Sequence, residues 1–198
     1  MKNAKTRMIT GCGMLIAVAV ILQYVEFAIP LVPSFIKLDF SDLPEIIGAF
    51  LYGPIAGVLI CAFKNILHLM VSQSGFVGEL SNFLLGATFA GVAGFIYQKN
   101  KTKKQAILAG IIGAVLMAVV SLPINYFVIY PMYYTILGFP EAAVLQMYQV
   151  ILPSVKSIAQ ALLIFNVPFT LLKGIIIVFF TTIVYKRISI LLKGEIQK

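Results

Sequence analysis

Long runs of apolar residues, separated by short polar or Pro/Gly-rich segments, dominate the pattern along this chain. A transmembrane helix needs about 20 consecutive, mostly apolar residues. Most of the runs approach that length, and a strong turn signal, Gly53-Pro54, separates the shortest run from its neighbour. The pattern predicts six apolar helices, at Met8–Ile29, Leu43–Tyr52, Ile55–Val71, Leu80–Tyr97, Ala106–Tyr130 and Ile158–Tyr185.

The connections between these helices differ in character. Leu31–Asp42 is a long polar connection, Ser72–Glu79 is a Ser/Gly loop, and residues 99–104 form a basic loop that we expect to be solvated. The segment Pro131–Ser157 contains three prolines, and we expect it to be partly helical and to lie near the membrane interface. No part has the pattern of a separate soluble domain, so residues 1–198 are predicted to form a single transmembrane domain.

The composition indicates that most of the surface of this chain faces lipid. Hydrophobic residues make up 61% and charged residues 11%, whereas a soluble domain is about half apolar and about a quarter charged. The chain therefore lacks the polar residues to cover a water-facing surface. We predict an all-α, multi-pass integral membrane protein with six transmembrane helices.

The basic residues predict its orientation. With six helices, both termini and the 99–104 loop share one side, which holds 11 of the 15 Lys and Arg residues but only Glu195 of the seven acids. Because cytoplasmic loops are enriched in Lys and Arg, both termini are predicted to be cytoplasmic. A seventh helix would put the two basic ends on opposite sides of the membrane. The net charge of +8 is thus explained by topology and does not require a nucleic-acid partner.

Motifs of several enzyme classes are absent from the sequence. It has no G-x-x-x-x-G-K-[ST] phosphate loop and no H-E-x-x-H pair. Cys12, Cys61 and the single histidine do not form a metal-binding pattern. One histidine and no carboxylate pair inside a helix leave few candidates for acid–base chemistry. The sequence favours binding or transport over catalysis, and we predict no enzymatic activity, metal or cofactor.

Lys173 lies well inside the sixth apolar run, where a charged side chain needs a partner or a cavity. We interpret it as a cationic donor to oxygen atoms of a ligand. The alternatives are a snorkelling lysine or an ion pair with an acid of the outer side. Thr170 and Asn166 precede it by three and seven residues and share its helix face. Either could instead form a helix–helix hydrogen bond.

A flat heterocyclic ligand would suit two further features. Asn125, near the outer end of the fifth helix, offers both a donor and an acceptor, as the imide edge of a heterocycle requires. The alternative is an amide that satisfies a kink beside Pro123. Some of the many aromatic residues could flank a flat ring, although most are expected to face lipid or the core. These aromatic residues are Phe40, Phe76, Phe83, Tyr126, Phe127, Phe165 and Phe169.

Polar residues also interrupt the third and fourth apolar runs. Lys64, Asn65 and His68 form a patch on the third helix, and Lys64 and His68 share a face. We expect this patch to pack against acids of the outer side rather than to contact a ligand. Asn82 on the fourth helix is interpreted in the same way.

Small residues mark one face of the first helix. Gly13 and Ala17 form a small-x-x-x-small pair, which lets another helix approach closely. The partner could lie within this chain or in another protein.

Six motifs, in this order and spacing, resemble the riboflavin-binding S components of energy-coupling factor (ECF) transporters, the RibU family. The resemblance covers essentially the whole chain. The motifs are Leu38-Asp39-Phe40-Ser41-Asp42-Leu43-Pro44, Gly53-Pro54-x-Ala56-Gly57, Lys64-Asn65-Ile66-Leu67, Asn82-Phe83-Leu84-x-Gly86, Asn125-Tyr126-Phe127 and Pro168-Phe169-x-x-x-Lys173-Gly174.

The resemblance implies a six-helix subunit in a prokaryotic-type cell membrane that binds riboflavin in a pocket open to the outer side. The loop after the first helix covers the pocket in this family. Asn125 and Lys173 match family residues that contact the isoalloxazine ring, and Thr170 stands where the family often has Asn. Asp39 is expected to serve the ribityl chain. Phe40, Asn82 and Asn166 complete the expected ligand-binding set.

The resemblance also implies partners. The face of Gly13 and Ala17 corresponds to the one that docks onto a transmembrane coupling subunit, and two cytoplasmic ATPases drive the cycle. Three alternatives stay open at this point: an S component for another vitamin, a membrane enzyme acting on a lipid-like substrate, and an assembly subunit. The sequence does not distinguish riboflavin from phosphorylated flavins.

Overall fold

The computed structural model describes residues 2–72 and 74–196, with side chains described for 5–72 and 74–185. Nine α-helices occur in these ranges. Their bounds are α1 Lys2–Tyr24, α2 Asp42–Tyr52, α3 Pro54–His68, α4 Val77–Lys99, α5 Lys103–Ile124, α6 Tyr130–Ile136, α7 Glu141–Gln149, α8 Ile158–Ala161 and α9 Val167–Ile196. Part of the predicted charge asymmetry lies outside the described side chains, namely Lys2, Lys186, Arg187, Lys193, Glu195 and Lys198.

The prediction of an almost entirely helical membrane protein is confirmed. Within the described residues, five helical stretches are long and apolar enough to cross a membrane. Helix α2 corresponds to the predicted second span, but its 11 residues extend only about 16 Å. It therefore covers about half of a hydrocarbon core of about 30 Å. The five stretches are Lys5–Tyr24, Pro54–Val71, Val77–Lys99, Lys103–Ile136 and Ile158–Tyr185.

The predicted ends of the first, fifth and sixth helices are wrong, and the sixth continues past Tyr185 to Ile196. The first helix ends at Tyr24 rather than Ile29, because Phe27–Ala28 form strand β1. This strand pairs antiparallel with β2, Lys37–Leu38, so the connection after α1 is a short β-hairpin. The fifth helix continues past Tyr130 to Ile136. Pro131 does not break this helix. It occupies the first turn of α6, where the missing N–H of a proline is tolerated.

Two segments of π-helix interrupt the long helices. Asn125–Ile129 joins α5 to α6, and Leu162–Asn166 joins α8 to α9. Such wide turns often mark functional sites, because they displace one residue from the regular helical ladder. Each π segment contains one of the asparagines singled out from the sequence. The segment after Pro131 is partly helical as predicted, since it includes the end of α6 and all of α7.

Glycines set the close spacing of the long helices. A Cβ atom added at Gly113 of α5 would lie 3.1 Å from the carbonyl oxygen of Phe89 in α4. One added at Gly174 of α9 would lie 2.6 Å from the Cβ of Ala114 in α5. Helix α5 therefore packs tightly between α4 and α9.

Two apolar clusters enclose the space where the site lies. The first joins α2, α4, α5 and α9, and includes Phe50, Phe89 and Ile177. The second joins the loop after β1 to α6, α7 and the start of α8, and includes Val32 and Val144.

Candidate functional site

A cavity of about 590 Å³ opens between the β-hairpin, α4, α5 and α9. Its volume is within the range of small-molecule sites, which are mostly apolar with a few convergent polar groups. Six of the residues predicted to bind a ligand lie in its lining. They are Asp39, Asn82, Asn125, Asn166, Thr170 and Lys173.

Phe40 is the exception among the predicted ligand-binding residues. It is outside the cavity lining and packs edge-on against Phe180 of α9, with ring centroids 5.4 Å apart. Its ring also lies 6.4 Å from that of Phe27 in β1. Successive side chains of an extended chain point to opposite sides. Asp39, which follows β2, faces the cavity, so the next side chain, that of Phe40, points away from it. The aromatic residues that do line the cavity include Phe35 and Phe169.

Lys173 lies at one end of the cavity, paired with two carboxylates. Its Nζ atom is 3.0 Å from Asp39 Oδ2 and 3.1 Å from Asp42 Oδ2. The alternative of an ion pair with acids, left open by the sequence, is therefore what the structure shows. The lysine nevertheless keeps 12% of its side chain accessible, at the cavity. An ammonium group has three N–H donors, so two carboxylate contacts leave one for a ligand.

Behind Lys173 the charges continue as one buried cluster. Asp42 Oδ1 lies 3.1 Å from Lys64 Nζ, which is also 2.5 Å from Glu45 Oε1. Lys64 and Glu45 are both fully buried. We call Asp39, Asp42, Glu45, Lys64 and Lys173 the ionic layer; it contains three carboxylates and two ammonium groups. The predicted packing of Lys64 against acids is thereby confirmed.

The hairpin is joined to this layer through Asp39. The Oδ1 atom of Asp39 accepts hydrogen bonds from the backbone N–H of Ser41, at 2.8 Å, and from the Ser41 hydroxyl. Burial raises the pKa of Asp39, but the ammonium groups of Lys173 and Lys64 outweigh it and hold that pKa below its usual value. Asp39 is therefore ionised at neutral pH, and it fixes the base of the hairpin to α9.

Other polar residues of the cavity lining are uncharged. Asn125 Nδ2 donates to the carbonyl oxygen of Ser121 at 2.8 Å, within the irregular stretch of helix that follows Pro123. Its Oδ1 atom and second N–H are not used in that bond. Asn125 therefore has a hydrogen bond within its own helix and also lines the cavity.

Asn166 belongs to a hydrogen-bonded group that links three helical segments. Its Oδ1 atom accepts from the Tyr148 hydroxyl at 2.7 Å, and its Nδ2 atom donates to the Tyr130 oxygen at 3.2 Å. The two tyrosine hydroxyls are also in contact. We call Tyr130, Tyr148 and Asn166 the tyrosine–asparagine ring. Asn166 is thus a helix–helix hydrogen-bonding residue that also lines the cavity.

At a third side of the cavity, His68 Nδ1 lies 2.9 Å from Glu79 Oε1. The other oxygen of Glu79 accepts from the Ser72 and Ser74 hydroxyls at 2.8 and 3.0 Å. Asn65, the third member of the predicted patch, accepts from Gln23 Nε2 at 3.2 Å and does not line the cavity.

Sequence reasoning missed several residues of the site. The sequence predicts Tyr130 only as the end of a helix, and it indicates no role for Tyr148. Val144 and Tyr148 are four residues apart in α7 and both are buried. That spacing was the available signal for a helix that packs with one face.

On α1, the small residues divide between two faces. A Cβ atom at Gly11 would meet the side chain of Tyr52, whereas one at Gly13 would have nothing within 4 Å. Gly13 and Ala17 are exposed, and α1 packs mainly on α2 and α3. The face of Gly13 and Ala17 is therefore not occupied by another described part of this chain.

Comparisons with known proteins agree with this geometry. Residues 7–185 match the family model described as ECF transporter, substrate-specific component. Riboflavin transporter RibU of Staphylococcus aureus is 36% identical over 94% of this chain and 92% of its own length. Riboflavin transporter FmnP of Bacillus subtilis is 30% identical over 98% of this chain and 96% of its own length.

A solved structure is similar as well. It was described under the heading "Structure and mechanism of the S component of a bacterial ECF transporter" and aligns with a TM-score of 0.75 and 31% identity. The alignment covers 96% of this chain and 99% of the solved one.

Proposed function

This chain belongs to the family of ECF transporter substrate-specific components, and we propose that its cavity binds riboflavin for import into the cell. It is a substrate-binding transport subunit of the cell membrane and not an enzyme. The observation that carries the flavin assignment is the cavity itself. It combines aromatic walls with Lys173, Asn125 and Asn166, and relatives similar over nearly the whole chain are riboflavin transporters.

The chemistry of the lining suits a flavin. The isoalloxazine ring is flat and largely apolar, with an edge of alternating carbonyl and N–H groups. Phe35 and Phe169 supply aromatic surface, which excludes water from such a ring. The unused N–H of Lys173 is a donor for a carbonyl oxygen, and Asn125 provides an acceptor for the imide N–H.

The remaining polar residues complete the proposed site. Asn82 and Thr170 offer neutral hydrogen-bonding groups within the lining. Asp39 is placed to accept from a ribityl hydroxyl near Lys173, since its carboxylate also lines the cavity. A small number of oriented polar groups in an apolar cavity gives specificity for one ligand.

For the topology, we propose six membrane helices in one domain, with α2 as a short second crossing. Helix α2 packs on α1, α3, α4 and α9, so neighbouring helices shield it from lipid where it is too short. Both termini are proposed to be cytoplasmic. Lys99, Lys101, Lys103 and Lys104, at and between the ends of α4 and α5, support this orientation.

For the partners, we propose a transmembrane coupling subunit and two cytoplasmic ATPases. The sequence contains no phosphate loop, so the energy for release comes from elsewhere. The exposed face of Gly13 and Ala17 suits close helix packing with the coupling subunit. Binding energy from the partner then shifts the loaded subunit toward a state whose cavity opens inward.

The visible absorption spectrum of the purified, extensively washed protein tests the flavin assignment. We expect a flavin band, and quenching of the fluorescence of added riboflavin. Lys173→Ala and Asn125→Ala should each weaken binding, because each removes a donor or acceptor from the cavity.

Lys156→Ala and Asn100→Ala are matched controls, since both side chains are exposed and lie outside the cavity lining. They should bind like the wild type. A colourless protein that does not quench riboflavin would refute the assignment, and other vitamins would then be screened against the same cavity.

A further inference from the structure

Tyr148 lies outside the cavity lining, yet it is part of the hydrogen-bonded ring that borders the cavity. Its side chain is fully buried, and α7, which carries it, is not among the membrane-spanning stretches. Its hydroxyl reaches Asn166 of the π segment before α9 at 2.7 Å. A helix outside the membrane-spanning stretches is thereby tied to a residue of the proposed binding site.

The three hydrogen bonds of the ring all run in the same direction around it. A tyrosine hydroxyl has one hydrogen, and that of Tyr148 is directed at Asn166 Oδ1. Tyr130 accepts from Asn166 Nδ2, so its own hydrogen is free for the oxygen of Tyr148. Each hydroxyl therefore donates once, and the three bonds close a ring that holds the Asn166 amide at both of its polar atoms.

The ring leaves part of the amide unused. An asparagine amide has two N–H donors and two lone pairs on oxygen, and the ring uses one of each. Asn166 and Tyr130 both line the cavity. The unused N–H and lone pairs are therefore the groups that a ligand can meet, and their directions depend on how the amide plane is held.

We propose that Tyr148 is a positioning residue of the ligand site, which acts through Asn166 and does not touch the ligand. The inference rests on the proposed flavin function. Without the Tyr148 hydroxyl, Asn166 is held only through Nδ2, so its amide can rotate about the side-chain torsion. The Tyr130 hydroxyl also loses its acceptor. Orienting the amide would then have to accompany binding, which lowers affinity.

Tyr148→Phe tests this in the full chain in detergent, with riboflavin fluorescence as the readout. The variant keeps the ring contacts with Phe165 and Phe35, whose centroids lie 5.3 and 6.1 Å away. We expect it to fold and to raise the Kd for riboflavin about tenfold, because one side chain has to be ordered on binding. The absorption band of the bound flavin should shift, because its hydrogen bonding changes.

A double-mutant cycle separates positioning from a general structural role. In an Asn166→Ala background, Tyr148→Phe should change the Kd by less than about twofold, since nothing is left to position. A loss of the same size in both backgrounds, or no loss in either, would overturn the proposal. If Tyr148→Phe cannot be recovered folded, Tyr130→Phe opens the same ring, and its effect must likewise diminish in Asn166→Ala.

Tyr97→Phe is the matched control. Tyr97 is also fully buried, and its hydroxyl lies 3.1 Å from that of Tyr185, outside the cavity lining. Tyr97→Phe should leave the Kd for riboflavin unchanged, although it removes a comparable hydrogen bond. Absence of riboflavin binding in the wild type would refute the proposed function, whereas normal binding by Tyr148→Phe would refute only this inference.

Discussion

The two polar walls of the cavity hold their side chains in opposite ways. In the ionic layer, three carboxylates and two ammonium groups from the hairpin base, α2, α3 and α9 form ion pairs inside an apolar protein. In the tyrosine–asparagine ring, three neutral groups share hydrogen bonds. The first arrangement fails when one charge is removed, because its partners stay buried and charged. The second loses two hydrogen bonds when one member is replaced, but no charge is left unpaired.

This difference assigns different tasks to the two walls. The ionic layer joins the hairpin to α2, α3 and α9, and only Asp39, Asp42 and Lys173 reach the cavity. Its main effect is on the folded state. The ring fixes neutral groups that face the cavity, so we propose that its main effect is on how a ligand is oriented. Substitutions in the ionic layer should therefore mainly lower the stability of the protein, whereas substitutions in the ring should mainly lower its affinity for the ligand.

Lys64→Met should have the largest effect. It leaves Asp42 and Glu45 without their shared cation in a fully buried position. Loss of one partner from a buried ion pair costs about 3–5 kcal/mol. Denaturant unfolding in detergent would measure the decrease in the free energy of unfolding. Lys156→Met, an exposed position, should change it little. Wild-type stability of Lys64→Met would show that the layer is not needed for folding.

Lys173→Met should weaken both stability and binding. We expect a decrease of about 2–3 kcal/mol in the free energy of unfolding, less than for Lys64, because Asp42 keeps Lys64 and the cavity admits water. Riboflavin affinity should decrease as well. Fluorescence titration and unfolding are measured on the same samples.

The double variant Asp39→Asn/Lys173→Met sharpens this test. Replacing both members of a buried ion pair is often close to neutral for stability. Stability should therefore return toward the wild-type value, while riboflavin affinity stays low. Recovery of full affinity in the double variant would show that Lys173 serves only to neutralise Asp39.

Gly86→Ala tests how closely α4 approaches the ionic layer. A Cβ atom there would lie 2.8 Å from Glu45 Oε2 and 2.8 Å from Cys61 Sγ, which requires both to shift. We expect a loss of about 1–3 kcal/mol, typical of overpacking. Gly91→Ala on the same helix is the control, since its nearest neighbour is Val58 at 3.5 Å. Equal stability of the two variants would show that the layer accommodates the methyl group.

The sequence predicted the ionic layer better than the ring. Lys64 and Lys173 inside apolar runs are costly, so each needs a partner or a cavity. The predicted packing of Lys64 against acids exists, and for Lys173 the ion pair was the alternative to the predicted ligand contact. The ring was missed because tyrosine and asparagine are tolerated in many helical positions. No pattern along the chain shows that Tyr130 and Tyr148, 18 residues apart, meet at their hydroxyls.

Helix ends were harder to predict than helices. Periodicity and length identified the long apolar helices, but a π-helical turn has no clear signal in hydrophobicity. The sequence predicts a helix end before Pro131, although the irregular turn at Asn125–Ile129 places this residue where a proline fits. It predicts part of a helix and a loop where the hairpin after α1 lies, because two-residue strands are too short to show alternation.

Substitutions on the outer face of α1 should have the smallest effect on the ionic layer and on the tyrosine–asparagine ring. In Gly13→Leu/Ala17→Leu the new side chains point to open space, so the cavity, the stability and the riboflavin Kd should stay as in the wild type. Uptake by cells that contain the coupling partners should be lost, because bulky residues prevent close helix packing.

Gly11→Leu is the contrasting variant. Its side chain would meet Tyr52, so it should lower stability before it affects docking. Normal uptake by the double variant would mean that the coupling subunit binds elsewhere, and reduced riboflavin binding would mean that this face supports the cavity after all.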